Sequence, residues 1–188
     1  MEAFSQPSRC RWAKGELMTR YHDEEWGVPV YDDQKLYEML LLEAFQAGLS
    51  WQVVLSKREN FRRAFDDFDA EKIAAYDEAK IQSLLSDAGL IRCRRKIEGA
   101  VTNARCYLQI RQEFGSFASY LYSFTDGKTV INKTGEVFTT SPVSDALSRD
   151  LRKRGMKYMG SVTVYSYLQA LGVVDDHEPC CFKSALRR

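Results

Sequence analysis

The stretch Ile81-Gln82-Ser83-Leu84-Leu85-Ser86-Asp87-Ala88-Gly89-Leu90-Ile91-Arg92 decides how the chain is read. Ile81, Leu84 and Leu85 recur at the spacing of one helical face, and Gly89 interrupts the pattern. After Leu90-Ile91-Arg92 a longer helical pattern resumes with Ile97, Val101, Ala104 and Leu108. Two helices, a short glycine-containing turn and an immediate run of bases make residues 78–110 a candidate helix-hairpin-helix. In such a unit the backbone N–H groups of the hairpin and the N-terminus of the next helix can hold a phosphate without reading base sequence. Short connections between helices are common, so an ordinary helical corner also fits these residues.

Upstream, Leu36, Met39, Leu40, Glu43 and Ala47 fall on one face of a helix for which Asp33 is the expected cap. Glu43 is the anomaly on that face. An ionised carboxylate removed from water without partners costs several kcal/mol or is neutralised instead. Gly48 stands where a helix ends in a left-handed residue, and Ser50 can cap a following helix that starts at Trp51. The carboxylate and the indole then flank one helix-to-helix corner and define a pocket. The alternative is a Glu43 turned to solvent at a helix end and a Trp51 that is ordinary core.

The remaining pattern is helical as well. Trp51, Val54, Leu55, Phe61 and Phe65 keep helical register, and Asp69 is expected to cap a short helix through Ile73 and Tyr76. Ser116 is the expected cap of a helix bearing Phe117, Tyr120, Leu121 and Phe124. Ser144 opens a helix to Arg154 that stops at Gly155, and Ser161 opens one that stops at Gly172. Between Thr125 and Pro142 lies a polar stretch with Val130-Ile131 and Val137-Phe138 as its apolar pairs, read as a surface excursion or a small hairpin. With no run of strands and no internal repeat, the chain reads as one all-α domain over residues 1–188.

The composition bounds the function. A chain of 188 residues is long enough to bury a substantial core. No apolar run reaches the roughly 18 residues of a membrane span, and the N-terminus lacks the apolar region of a signal peptide. A cytoplasmic protein without membrane contact is expected. Five cysteines, an odd number, argue against a disulfide framework and for metal ligation or inert burial. The net charge of +1 hides an uneven distribution, with acids at 66–69 and 77–87 and bases at 92–96 and 149–157. Those basic clusters permit a phosphate-binding face, although solvated helix surfaces account for them equally well.

The chain has two histidines, each beside aspartate, in Tyr21-His22-Asp23 and Asp175-Asp176-His177. Cys10 with His22 and His177 with Cys181 together make a candidate Cys2His2 zinc site joining segments 10–26 and 175–181. A site with four protein ligands has no open position, so its role is structural, and the neighbouring aspartates can orient the imidazoles. Cys180 competes with Cys181 for the fourth position. Nucleophile motifs of the Gly-x-Ser-x-Gly type and phosphate-binding loops are absent. What remains is a carboxylate among aromatics beside a phosphate-gripping hairpin. That combination suits an enzyme that takes a base out of a duplex and stacks it between rings. A base that carries positive charge is already a good leaving group, so strong acid–base machinery becomes unnecessary.

The segments Tyr21-His22-Asp23-Glu24-Glu25-Trp26-Gly27-Val28-Pro29, Gln46-Ala47-Gly48-Leu49-Ser50-Trp51, Lys57-Arg58-Glu59-Asn60, Asp87-Ala88-Gly89-Leu90-Ile91-Arg92 and Lys153-Arg154-Gly155-Met156-Lys157-Tyr158 resemble the 3-methyladenine DNA glycosylase I family. The likeness runs from Cys10 to Cys181. It implies a helix-hairpin-helix glycosylase that acts on double-stranded alkylated DNA, releases free 3-methyladenine and has no lyase step. It also implies a monomer with one zinc ion on Cys10, His22, His177 and Cys181. By position, Glu43 and Tyr21 hydrogen-bond the flipped base, with Glu43 as its electrostatic partner in catalysis, and Trp12 and Trp51 stack on it. Leu49, with Gln46 and Gly48 beside it, lies in the loop that enters the gap in the duplex, while Gly89, Leu90 and Arg92 hold the backbone. Two departures stand out: the segment from Cys10 to Tyr21 is one residue short of the family pattern, and Met18 stands where a second tyrosine is common. The aspartate that serves as base in many other helix-hairpin-helix glycosylases has no counterpart downstream of Gly89. The rival reading is a non-catalytic, zinc-stapled helical module that binds DNA or a protein.

Overall fold

The computed structural model describes residues 8 to 184. Its helices are α1 (Glu16–Glu24), α2 (Asp33–Gln46), α3 (Trp51–Ser56), α4 (Arg58–Ala64), α5 (Ala70–Ala74), α6 (Glu78–Ser86), α7 (Arg94–Phe114), α8 (Phe117–Ser123), α9 (Pro142–Lys153) and α10 (Ser161–Ala170). Two short strands, β1 (Val130–Ile131) and β2 (Val174–Asp175), pair in parallel. The helical expectation holds apart from this ribbon. Residues 125–142 form the expected surface excursion rather than the alternative small hairpin, because Val130 and Asn132 donate their N–H groups to Val173 and Asp175 of the C-terminal segment.

Helix α2 is the axis of the molecule. Every residue from Leu36 to Phe45 is buried, and α3, α7, α8 and α10 pack around the helix. A helix enclosed on all sides must be apolar all round, or must give each polar side chain a partner. Phe45, Phe61 and Phe65 fill one side with edge-to-face and stacked rings, and Tyr37, Tyr107 and Phe117 fill another. The Tyr167 hydroxyl donates to the Leu36 carbonyl at 2.9 Å, so the largest side chains around α2 are held by polar tips as well as by packing.

Helix starts follow local chemistry with three corrections. Asp32, not Asp33, caps α2 by accepting the Lys35 N–H at 2.9 Å. The Asp33 carboxylate instead accepts the N–H groups of Phe117 and Ala118 at 3.1 and 3.0 Å, fastening the start of α8 to α2. Ser141, not Ser144, caps α9: Pro142 follows it, and Ser144 completes a reciprocal capping box from the third helical position. Ser161 is the first residue of α10 and Gly160 its cap. Ser50, Asp69 and Ser116 cap α3, α5 and α8 as expected. Helix α1 was not among the expected helices, although Leu17, Met18 and Tyr21 share one of its faces.

The turn between α6 and α7 is braced from inside. The Gly89 N–H donates to the Asp87 side chain at 2.7 Å, and Lys57 and Asn60 from the α3–α4 region both donate to the Gly89 carbonyl. A side chain at Gly89 would meet Asn60 and Asp87 at 3.0 Å. Helix α7 then starts at Arg94, without a side-chain cap from Cys93 and with Arg94, Arg95 and Lys96 in its first turn. Bases there oppose the helix dipole, which favours anions at that end. Lys96 relieves part of this by donating to the Phe45 and Ala47 carbonyls at 2.8 and 2.6 Å, at the C-terminal end of α2.

Candidate active site

Helix α2 buries two carboxylates and treats them in opposite ways. Glu38 accepts from Arg58 Nε and Arg62, each at 2.7 Å, and Arg58 also grips Glu25. Glu43, 3% exposed, has an oxygen with no hydrogen-bond partner. Burial pushes its carboxyl up to about 8, so in this fold it holds its proton well above the usual carboxylate range. The five-residue separation of Glu38 and Glu43 turns them to different sides of α2, so the guanidinium groups that neutralise one do not serve the other.

Glu43 faces a cavity of about 330 Å³, within the usual size of a small-molecule site. Trp12, Met18, Tyr21, Trp26, Gln46 and Trp51 form its near walls. Gly48, with φ of 79°, ends α2 in the left-handed region, and the chain turns there to bring Trp51 over the cavity. The Tyr21 ring lies 5.5 Å from Trp51 and 6.3 Å from Trp12. Burial, with a smaller contribution from Glu43, pushes the Tyr21 hydroxyl well above its ordinary value, so it stays protonated. The segment before Tyr21 brings Trp12 to the pocket, and Met18 contributes to the wall.

Among the described residues, the buried side-chain polar atoms without a partner are Glu43 Oε2, Trp51 Nε1 and His177 Nε2. All three belong to residues that line this one cavity. Unpaired buried polar atoms are costly and rare, and their concentration around a cavity marks a place prepared for groups supplied from outside.

The terminal segments meet against the same wall. Cys10, His22 and Cys181 offer donor atoms within 4.8 Å of one another and could hold a metal ion. His177 stands beside this trio, its ring 5.5 Å from that of His22. Its Nδ1 is bound to Asp175 at 2.8 Å, and His22 Nδ1 is bound likewise to Asp23. Each imidazole thus presents Nε2 inward, with His177 Nε2 unpartnered. Burial lowers the His22 pKa and pushes the Cys10 thiol up to about 12, so the site holds neutral imidazole and, without a cation, no stable Cys10 thiolate. Cys181 is buried and Cys180 exposed, which resolves the competition between them. Gly27, at φ of 75°, is required here, because a Cβ would come within 2.4 Å of the His177 ring.

Of the residues expected to contact DNA, Gly89, Leu90 and Arg92 lie in the turn between α6 and α7, and Leu49 lies in the loop after α2. The Gly89 and Leu90 N–H groups are spent on Asp87 within the turn. Among the described residues of this corner, the N–H groups of Ile91 and Arg92 and the open first turn of α7 remain for an anion. Leu49 is 40% exposed at the tip of the loop after α2, where its N–H closes a tight turn onto the Gln46 carbonyl.

The far wall went unread in the sequence. It consists of Asn132, Gly135, Glu136, Val137 and Phe138, together with Ser166, Gln169, Asp176 and Glu178. The signal available was the apolar pair Val137-Phe138 inside a polar stretch. Asp176 is a carboxylate in the wall, but Tyr165, Gln169 and Asn132 all donate to it, so its acceptor capacity is in use.

Residues 12–184 match the family model described as methyladenine glycosylase. DNA-3-methyladenine glycosylase 1 of Escherichia coli K12 is 45% identical over 180 residues, covering 93% of this chain and 96% of that protein. A crystal structure of 3-methyladenine DNA glycosylase I superposes with a TM-score of 0.90 at 45% identity, over 94% of this chain and 100% of the other. A tyrosine-to-phenylalanine variant of a 3-methyladenine DNA glycosylase I, solved in complex with 3-methyladenine, superposes with a TM-score of 0.89 at 35% identity, over 93% and 96% of the two chains. An aromatic cavity around an unpaired carboxylate, and these likenesses along nearly the whole sequence, lead to one assignment: the chain belongs to the methyladenine glycosylase family.

Proposed function

We propose that the protein is a monofunctional DNA glycosylase that hydrolyses the N-glycosidic bond of 3-methyladenine in alkylated DNA. The observation that carries this reading is the unpaired, buried Glu43 within an aromatic cavity. The solved complex of a relative with 3-methyladenine supports the identity of the guest.

The DNA backbone is held at the N-terminus of α7 and by Ile91 and Arg92, in the manner of a helix-hairpin-helix, and Leu49 enters the gap left by the flipped base. The alkylated base stacks between Trp12 and Trp51 beside Tyr21. Its positive charge supplies the partner that Glu43 lacks, so the carboxyl gives up its proton as the cation enters. Neutral adenine offers no such partner and is a poor leaving group. Water adds to C1′ of the sugar while the bond to the base breaks. The electron pair of that bond cancels the charge of the base, and the water proton goes to solvent. Glu43 acts by stabilising the cation, and no protein base has to activate the water.

Cys10, His22, His177 and Cys181 would hold one zinc ion, and the unpartnered His177 Nε2 fits that role. When bound, zinc supplies a cross-link between the terminal segments and no reaction chemistry. That cross-link would hold the segment carrying Trp12 and Tyr21 at the cavity wall.

The experiment is incubation of zinc-loaded protein with methylated duplex, followed by alkali to reveal abasic sites. Sites that appear only after alkali treatment support a glycosylase without lyase activity. Binding without new abasic sites would favour the non-catalytic helical module.

A further inference from the structure

We infer that Asn132 is a positioning residue for base recognition, holding residues 132–138 as the far wall of the pocket against Asp176. This rests on the reading of the cavity as a base pocket. The Asn132 amide donates to the Glu136 carbonyl at 2.8 Å and to Asp176 Oδ1. Its oxygen accepts from the Thr134 N–H and hydroxyl at 3.0 and 2.8 Å. One side chain therefore closes the loop on itself and ties it to the core. Asp176 is fixed in turn by Tyr165 and Gln169 from α10. Gly135 rests on Pro179, a Cβ there falling 3.0 Å from the proline ring, and β1 pairs with β2 immediately before His177.

The clasp explains why an otherwise exposed polar loop keeps two apolar side chains at the cavity. Val137 is 77% exposed and Phe138 39%, yet both line the same cavity as Glu43. Without a guest they cover little. With a base in the cavity they bury their surface against it, and they exclude water from their side of the cavity. A drier pocket strengthens the attraction between the cation and the carboxylate. The segment thus contributes to retention of the base and to its selection over water, while the aromatic wall contributes stacking.

The test is titration of zinc-loaded protein with free 3-methyladenine, followed by tryptophan fluorescence, beside titration with undamaged duplex. Asn132→Ala is expected to raise Kd for the free base about tenfold, with duplex affinity nearly unchanged and a cooperative unfolding transition retained at a lower Tm. The pair Val137→Ser and Phe138→Ala, which leaves the clasp intact, is expected to give a loss of the same size. Unchanged free-base affinity in either variant overturns the inference, and so does an equal loss for base and duplex, which would mark Asn132 as merely structural. If wild-type protein binds no free 3-methyladenine, the base-pocket reading falls and this inference with it. If wild type binds and Asn132→Ala binds equally well, only the inference falls.

Discussion

Glu43→Gln keeps the shape of the side chain and removes its proton chemistry, so it isolates what burial does to this carboxyl. In the fold its proton leaves near pH 8, whereas in the unfolded chain it leaves near 4.5. Between those values the folded protein holds a proton that the unfolded chain has lost. Stability contributed by the protonated form is complete below about pH 4.5 and declines as pH rises, by up to ~1.4 kcal/mol for each pH unit. From pH 5 to pH 8 the decline reaches at most about 4 kcal/mol, a large share of the 5–15 kcal/mol that holds a typical domain. Urea denaturation of zinc-loaded wild type and Glu43→Gln at pH 5, 6, 7 and 8 measures it. Ionisation of the metal ligands affects both proteins alike, so the difference between them carries the signal. The variant is expected to gain on wild type steadily as pH rises. A difference that does not change with pH would refute the buried, proton-holding Glu43 and the charge-recognition mechanism built on it.

Other perturbations test separate parts of the structure. Glu43→Gln is expected to weaken binding of free 3-methyladenine by tenfold or more while leaving undamaged duplex binding intact, since an amide cannot compensate the cation; fluorescence titration reads both. Cys180→Ser should retain one zinc per chain and Cys181→Ser should lose it, measured by metal analysis, because only Cys181 belongs to the buried cluster. Lys183→Met removes the ammonium that donates to the His22 and Trp26 carbonyls at 2.9 and 2.8 Å, and about 1–3 kcal/mol of stability should go with it. Asp33→Ala leaves the Phe117 and Ala118 N–H groups unpaired and should cost about 1–3 kcal/mol in urea denaturation, against about 1 kcal/mol for Asp32→Ala at the cap.

Elements with a local cause were legible in the sequence. Ser50, Asp69 and Ser116 cap their helices through a side chain that reaches its own next turn, and Gly48 ends α2 because the chain must turn left-handed there. Glu43 was legible for a related reason: a charge at an apolar position is a local contradiction. What the sequence concealed depends on distant partners. Asp33 sits one residue from the true cap and serves a helix more than eighty residues away. Glu38 carries no local mark of burial, because the Arg58 and Arg62 side chains that neutralise it inside the protein come from α4. The far wall of the pocket was hidden because its backbone polar groups pair with the C-terminal segment, and no periodicity within 125–142 encodes that pairing. Between α6 and α7 the helical pattern was readable, but nothing periodic shows that Asp87 accepts the Gly89 and Leu90 N–H groups within the turn.

A pocket built to recognise a cationic base in DNA should release that base as a consequence of the recognition. Chromatography of the bases set free from methylated duplex, under single-turnover conditions with zinc-loaded protein in excess, tests it most directly. Free 3-methyladenine accumulating with wild type, unmodified adenine staying in the duplex, and a much slower release with Glu43→Gln are the predicted result. No 3-methyladenine from folded, zinc-loaded wild type, or equal release of unmodified adenine, would contradict it.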